Sequence, residues 1–556
     1  MRKICGFLLL VLMSVSFYAQ DALLKILKDE LKYEFNEMQK LQQKPYFMDF
    51  RVIDRTSHSI TSDFGSIAGQ YNTRVRNFVP SVRVGDTMLD NNVDPHQTSA
   101  RRFGVNTVSL PLDDNAKAIQ QTIWDECFFK YKRAVDDYEK ASADKKLKVE
   151  AEDKAPSFSQ ANVEVYYEEP LKANQTKFDE AYWKERIKKV SAEFLKNPEI
   201  IVGTASVSYS YQRRYYVNTA GAEVVQNQSS ARIMINAMIK ADDGMELPLF
   251  KSYFAYTPDG LPSEKELLTE VKMMMDKLVK LKNAPLVSPY TGPALLSGAA
   301  SGVFFHEIFG HRIEGQKMKS ERDGQTFKKM VGELVLPGDL TVYCDPTLTK
   351  YIGKDLNGHY KYDDQGVKAR RVNVVENGIL KQFLMTRTSI DGFPQSNGHA
   401  RADLGYDPDA RQSNLIIESS KPKTDAELRK LLIDEAKAQD KEYGYFFKAV
   451  SGGLTMTGRA AANSFNVTPL EVYRVYVDGR PDEMVRGVDL IGTPLSMFSR
   501  IIYAGDGKSS EIFTGTCGAG SGSIPVTAIS PTILVKQVEM QRKAKSNEKA
   551  PVLPRP

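Results

Sequence analysis

The chain has 556 residues, of which 42% are hydrophobic and 26% charged, a balance that excludes a disordered or fibrous protein and a length that calls for two or three folding units. Its 75 Lys and Arg against 70 Asp and Glu give a formal net charge of +5, with both signs interleaved and no basic stripe. A protein that binds phosphate backbones is therefore not expected, and nucleic acid is not an expected partner.

The first residues are Met1-Arg2-Lys3, followed by an apolar block over 4–15 and then Ser16-Phe17-Tyr18-Ala19-Gln20-Asp21. This is the basic region, apolar core and small-residue site of a secretory leader, so export is expected, with cleavage near Ala19/Gln20 and a periplasmic or extracellular mature protein. Loss of Arg2 and Lys3 lowers the formal charge by two, to +3. Cys5 precedes most of the apolar block and is badly placed for lipid attachment. No later stretch approaches 18 consecutive apolar residues, so no stable membrane insertion is expected.

Residues 21–43 space Leu, Ile and Phe by three and four, as an amphipathic helix does. From 47 to 84 alternation with β-branched and aromatic residues predicts strands. Residues 115–150, rich in Ala, Lys, Glu and Asp, predict a long solvated helix or helix pair, and a subdomain boundary is placed near 115. A helix over 178–196, alternating strands such as 205–211 and a helix over 263–282 follow. Asn283-Ala284-Pro285 to Pro289 reads as a connection between units. The expected class is α+β, with a mixed α/β N-terminal region over 21–285. A β-rich C-terminal domain over 286–540 carries a metal-binding helix, and 541–556 form a polar, proline-bearing, disordered tail.

Within the second half stands His306-Glu307-Ile308-Phe309-Gly310-His311. Two histidines with a glutamate after the first are the elements of a zinc site in which imidazoles bind the ion and the carboxylate serves a water. Here the histidines are five apart. On a regular helix, positions i and i+4 lie about 40° apart but i and i+5 roughly 140° apart. The helix must therefore break between them, and Gly310 is the residue best able to permit it. A third ligand has three candidates. Glu314 shares the neighbourhood of His311 but is better read as a supporting carboxylate. His399, in Ser396-Asn397-Gly398-His399-Ala400-Arg401, is expected in a flexible loop, as a ligand, a substrate contact or an exposed residue. Cys517, on the glycine-rich turn Gly515-Thr516-Cys517-Gly518-Ala519-Gly520-Ser521-Gly522, is small and soft and is favoured. That choice also gives a reason for the three cysteines left after leader removal, Cys127, Cys344 and Cys517, which have no C-x-x-C spacing. Cys127 and Cys344 are read as structural, with a disulfide between them left open.

The segment running from His306 to Gly315 resembles the H-E-x-x-G-H-x-x-E-G motif of the TldD branch of the TldD/PmbA metallopeptidase family. The resemblance continues in order through Val331-Gly332-Glu333-Leu334-Val335, Asp363-Asp364-Gln365-Gly366-Val367, Val375-Glu376-Asn377-Gly378-Ile379-Leu380-Lys381, Gly487-Val488-Asp489-Leu490-Ile491-Gly492 and Cys517-Gly518. It covers the C-terminal half; residues 21–285 match only in strand pattern. It implies one Zn²⁺ per chain, held by His306, His311 and Cys517. It also implies catalysis by Glu307, unfolded or extended peptide substrates in a narrow channel, and a dimer with itself or with a PmbA-like subunit. Family members are usually cytoplasmic, whereas this sequence begins with an export signal.

The expected chemistry is water activation at an open metal position, with Glu307 accepting the proton and returning it to the leaving amine. Glu314, His399 and Arg401 are candidates for supporting or substrate contacts, His399 and Arg401 as oxyanion donors. Gly452-Gly453 is read as a cleft lining or a plain turn. Two alternatives remain open at this point: a dipeptidyl-peptidase-III-like hydrolase, which shares the five-residue spacing but uses a downstream glutamate as third ligand, and a non-catalytic subunit that partners an active relative.

Overall fold

The computed structural model describes residues 21–92, 107–147, 153–319, 325–455, 465–492 and 497–544. The leader expected over 1–20 lies outside the described residues. Helix α1 (Ala22–Met38) starts where the Asp21 side chain accepts from the Leu24 N–H, and its three-and-four spacing buries Leu23, Ile26, Leu27 and Leu31. Strands β1 (Pro45–Asp63) and β2 (Ser66–Val84) form a hairpin 19 residues long on each side. Helix α2 (Ala116–Leu147) is a single helix. It is less solvated than its composition implies, because Ile119, Ile123, Cys127, Tyr131 and Ala134 are buried along one side.

Helix α3 (Glu180–Ala192), capped by Asp179, leads to β3 (Ile200–Asn218), β4 (Glu223–Lys240) and β5 (Glu246–Ala255). Helix α4 (Glu264–Asn283) opens with a capping box formed by Ser263 and Glu266. These strands make one sheet in the order β2-β1-β3-β4, with β5 continuing on β4. Since β1 pairs with β2 on one side and with β3 from Asp49↔Asn218 to Asp63↔Thr204 on the other, the boundary expected near 115 is not there. Sheet pairing between residues far apart in sequence leaves no local mark from which it could have been read.

Strands β1 to β4, of 18 or 19 residues, are about 60 Å long at 3.3 Å per residue, long enough to carry two helical layers end to end. Phe50, Val52, Tyr215 and Val217 pack under α1 and α2. Further along, Ile60, Val207, Tyr209 and Ile233 pack under α3 and α4. Because these residues keep the same parity along each strand, both layers lie on one face. The alternate residues face the second half of the chain: Arg51 donates to the Tyr406 carbonyl, Arg214 pairs with Asp364, and Gln226 donates to the Tyr362 carbonyl.

Among the described residues that second half contains two large sheets and two small two-stranded ones. Strands β6 (Tyr290–Leu296), β7 (Leu340–Cys344), β8 (Val372–Glu376), β9 (Asn414–Ser419), β10 (Tyr443–Thr455), β11 (Phe465–Tyr476), β12 (Val488–Gly492), β13 (Glu511–Ala519), β14 (Gly522–Ser530) and β15 (Ile533–Arg542) are its main members. The order β10-β6-β15-β12-β11 closes on itself through a β10–β11 pairing, while β8-β7-β9-β14-β13 form an open sheet. Helix α5 (Gly298–Ile308) lies between them, burying Val303, Phe304, Phe305 and Ile308 in a core shared with Tyr445 and Phe447 of the ring and Leu340 and Val342 of the open sheet.

Gly452 and Gly453 are neither a turn nor an end: they lie within β10, where the pairing register shifts between Val450 and Gly453, as in a β-bulge. A tail was expected from 541, but β15 still pairs Arg542 with Val488. Its remainder beyond 544 lies outside the described residues. Cys127 and Cys344 are free and buried in separate cores. Among the described residues no helix is long and apolar enough to cross a membrane.

Candidate metal centre

Helix α5 carries His306 and Glu307 in its last turn and ends at Ile308; a 3-10 turn over Gly310–Arg312 then carries His311. The break required by a spacing of five is therefore present. A helix end leaves carbonyls without partners, and here side chains serve them. Gln412 Nε2 donates to the His306 carbonyl at 3.3 Å, while Arg312 Nη1 donates to those of Glu307 and Ile308 at 3.0 and 2.8 Å. Arg312 also places a cation at the negative end of the helix. Gly310 contributes differently from its expected conformational freedom. A Cβ there would collide with the Gln412 amide, so a side chain at 310 would have to displace that amide.

The third element is the hairpin of β13 and β14, which brings in Cys517, paired with Ile524. His306 Nε2 and His311 Nε2 lie 3.2 and 3.3 Å from Cys517 Sγ, and the three donor atoms all fall within 4.8 Å of one another. Around zinc, with bonds of about 2.3 Å to sulfur and 2.0–2.1 Å to nitrogen, tetrahedral S and N ligands stand roughly 3.6 Å apart. The two sulfur–nitrogen separations lie a few tenths of an ångström below that spacing. All three residues are buried, with 9%, 6% and 4% of their surface exposed.

Charge is organised around this group. Burial alone would raise the Cys517 thiol, but His311, His306 and Arg411 hold it well below the ordinary cysteine value. Burial opposes protonation of His311, and the neighbouring Cys517 and Glu314 reverse this and push its pKa up to about 9 without a metal. Glu314 Oε1 lies 3.1 Å from His311 Nδ1, so it fixes the ring and leaves Nε2 directed at Cys517. Burial would raise the Glu314 carboxyl; Lys317, His311 and Arg411 instead hold it well below the usual carboxylate range. Burial raises the Glu307 carboxyl, against the opposing pull of His306 and His311.

The structure thus brings together His306, Glu307, His311, Glu314 and Cys517. His399 and Arg401 are placed otherwise than expected. His399 is wholly buried rather than on a flexible loop, its Nδ1 3.1 Å from the Asn397 carbonyl and its Nε2 3.4 Å from Ser413 Oγ. Burial depresses its pKa to about 3, which suits a neutral packing residue. Arg401 is buried beside the Tyr360 ring and donates to the Gln412 carbonyl at 2.6 Å. Neither is an exposed contact. Arg312, Lys317, Arg411 and Gln412 were not singled out from the sequence; the roles of Arg411 and Gln412 depend on other elements, whereas Arg312 and Lys317 act within the motif's own segment, where their nearness was a local signal.

A cleft of about 180 Å³ has walls that include Asp49, Arg51 and Arg83 of the N-terminal sheet, Lys130 of α2, and Gln316 and Gly520, which follow His311 and Cys517 in the chain; the three donor residues and Glu307 are not part of its lining. It is bounded by both halves of the chain.

Residues 289–542 match the PmbA/TldA metallopeptidase C-terminal domain. A metalloprotease of Methanocaldococcus jannaschii is 27% identical over 58% of this chain and 67% of its own length. A zinc metalloprotease TldD homologue of Saccharolobus solfataricus is 24% identical over 59% of this chain and 69% of its own. The crystal structure of TldE from Thermococcus kodakarensis superposes with a TM-score of 0.62 at 14% identity, covering 93% of this chain and 100% of that one. The likeness in fold thus extends over the N-terminal half as well, where the sequence resemblance is weak.

Proposed function

Because the chain belongs to the TldD/PmbA family, we propose that it is an exported zinc metallopeptidase of the TldD type, hydrolysing peptide bonds in unfolded or extended polypeptides. The observation that carries this reading is the convergence of His306, His311 and Cys517 next to a buried Glu307. Bound by these three residues, Zn²⁺ supplies a Lewis acid that acidifies water and polarises a carbonyl.

The protein's own groups do the rest. His311 is held in one orientation by Glu314. Glu307, its carboxyl raised by burial, accepts a proton from the attacking water and returns it to the departing amine as the C–N bond breaks. The cleft between the two halves of the chain, which runs along Gln316 and Gly520, is the path by which an extended segment would approach the centre. Export rests on the leader-like residues 1–20, and a dimer with itself or with a PmbA-like subunit is part of the same proposal.

The reading in which a downstream glutamate is the third ligand is disfavoured by Glu314, which meets His311 at Nδ1, away from the Nε2 that faces Cys517. In the test, Glu307→Gln retains wild-type zinc and loses about 10²–10⁴ in hydrolysis of an unfolded protein substrate. Full activity in that variant contradicts the mechanism. A purified chain that binds zinc but cleaves no unfolded polypeptide points to a non-catalytic subunit instead.

A further inference from the structure

We infer that Arg411 and Gln412 are positioning residues that hold the three donor groups in register, an inference that rests on the zinc-peptidase reading above. The two are consecutive and each is 1% exposed, yet their side chains go to different elements. Arg411 Nη2 donates to the Cys517 carbonyl at 2.7 Å, and Nη1 donates to Ser521 Oγ at 2.8 Å and the Gly522 carbonyl at 3.1 Å. One guanidinium therefore grips the strand that bears the cysteine and the turn that follows it. Its Nε lies 3.6 Å from Glu314 Oε1, the same oxygen that meets His311 Nδ1. Arg411 thus joins Cys517 to the partner of His311.

Gln412 reaches the third ligand. Its amide donates to the His306 carbonyl and fills the space left by the missing side chain of Gly310, so it sits at the break between the two histidines. The dipeptide is itself anchored. Arg401 donates to the Gln412 carbonyl at 2.6 Å, and the next residue, Ser413, accepts from the Thr527 N–H at 3.1 Å, where β9 begins to pair with β14. A distorted helix end and a distant hairpin share no backbone pairing; this dipeptide connects them. Arg411 suits the role because a planar guanidinium donates in several fixed directions at once, which an ammonium cannot reproduce.

The test uses the full chain as wild type, Arg411→Lys and Gln412→Met. It measures zinc affinity by competition with a chromophoric chelator, the thermal midpoint of the metal-free protein, and the thiolate-to-metal absorption of the Co²⁺-loaded protein. The inference expects zinc binding 10–100-fold weaker in each variant, a metal-free midpoint near that of the wild type, and an altered thiolate band in Arg411→Lys. Gln412→Met buries no new charge and carries the test where Arg411→Lys does not fold. Wild-type zinc affinity in the folded variants overturns the positioning role alone. A loss of affinity matched by an equal loss of metal-free stability also overturns it, in favour of a purely structural role. A wild type that binds no zinc overturns the metallopeptidase reading and this inference with it.

Discussion

Glu314 and Glu34 are both buried glutamates, with 0% and 4% of their surface exposed. Glu314, beside His311, has Lys317 Nζ at 2.7 Å and Arg411 Nε at 3.6 Å, and these cations keep it ionised despite burial. Glu34, on the inner side of α1, is raised by burial and by its like-charged neighbours Glu30 and Glu37 to a pKa of about 7, and it faces the buried thiol of Cys127 on α2. A buried carboxylate alone therefore says little about function. What separates the two is preorganisation: at the metal centre each charge has an assigned partner, whereas at the α1–α2 interface a hydrophobic layer has closed over an acid.

Glu314→Gln breaks this comparison most severely. It leaves Lys317 and Arg411 buried without their counter-charge and releases His311, so it should cost about 3–5 kcal/mol in denaturant unfolding of the metal-free protein at pH 7 and weaken zinc binding as well. Because the carboxyl pKa of Glu314 is depressed in the folded state, its contribution is present above the ordinary carboxylate pKa and is lost as the pH falls through the folded value. The difference between variant and wild type should narrow on acidification.

Glu34→Gln is the smaller and opposite case. An acid whose folded pKa is raised binds the proton more tightly when folded, so stability falls as the pH rises from the unfolded value near 4.5 to about 7 and stays reduced above it. The variant should therefore be more stable than wild type by roughly 1–3 kcal/mol at pH 8 and indistinguishable from it at pH 4. Unfolding midpoints in urea at the two pH values measure this. Equal differences at both would show that folding leaves the Glu34 pKa unshifted.

The same contrast explains what the sequence disclosed. The elements that rest on local chemistry were legible: α1 from its spacing, the strands over 47–84 from alternation, the helix over 263–282, and the helix break from the spacing of His306 and His311. The pairing of β6 with β10 and β15 and the joining of β1 to β3 were not, because those partners lie more than a hundred residues apart. At the centre, Glu314 and Cys517 were legible from type and context. The burial of His399 and Arg401 was not, since Gly398 and the polar residues around it also describe a surface loop. Gly310 was identified for backbone freedom, whereas the structure puts the Gln412 amide, from a hundred residues away, in the space a side chain would take.

The central claim is that His306, His311 and Cys517 form one zinc site, and elemental analysis of the purified wild type beside His306→Ala and Cys517→Ala tests it most directly. The account predicts one zinc per wild-type chain and none retained by either variant. Stoichiometric zinc in Cys517→Ala, or its absence from the wild type, would contradict it.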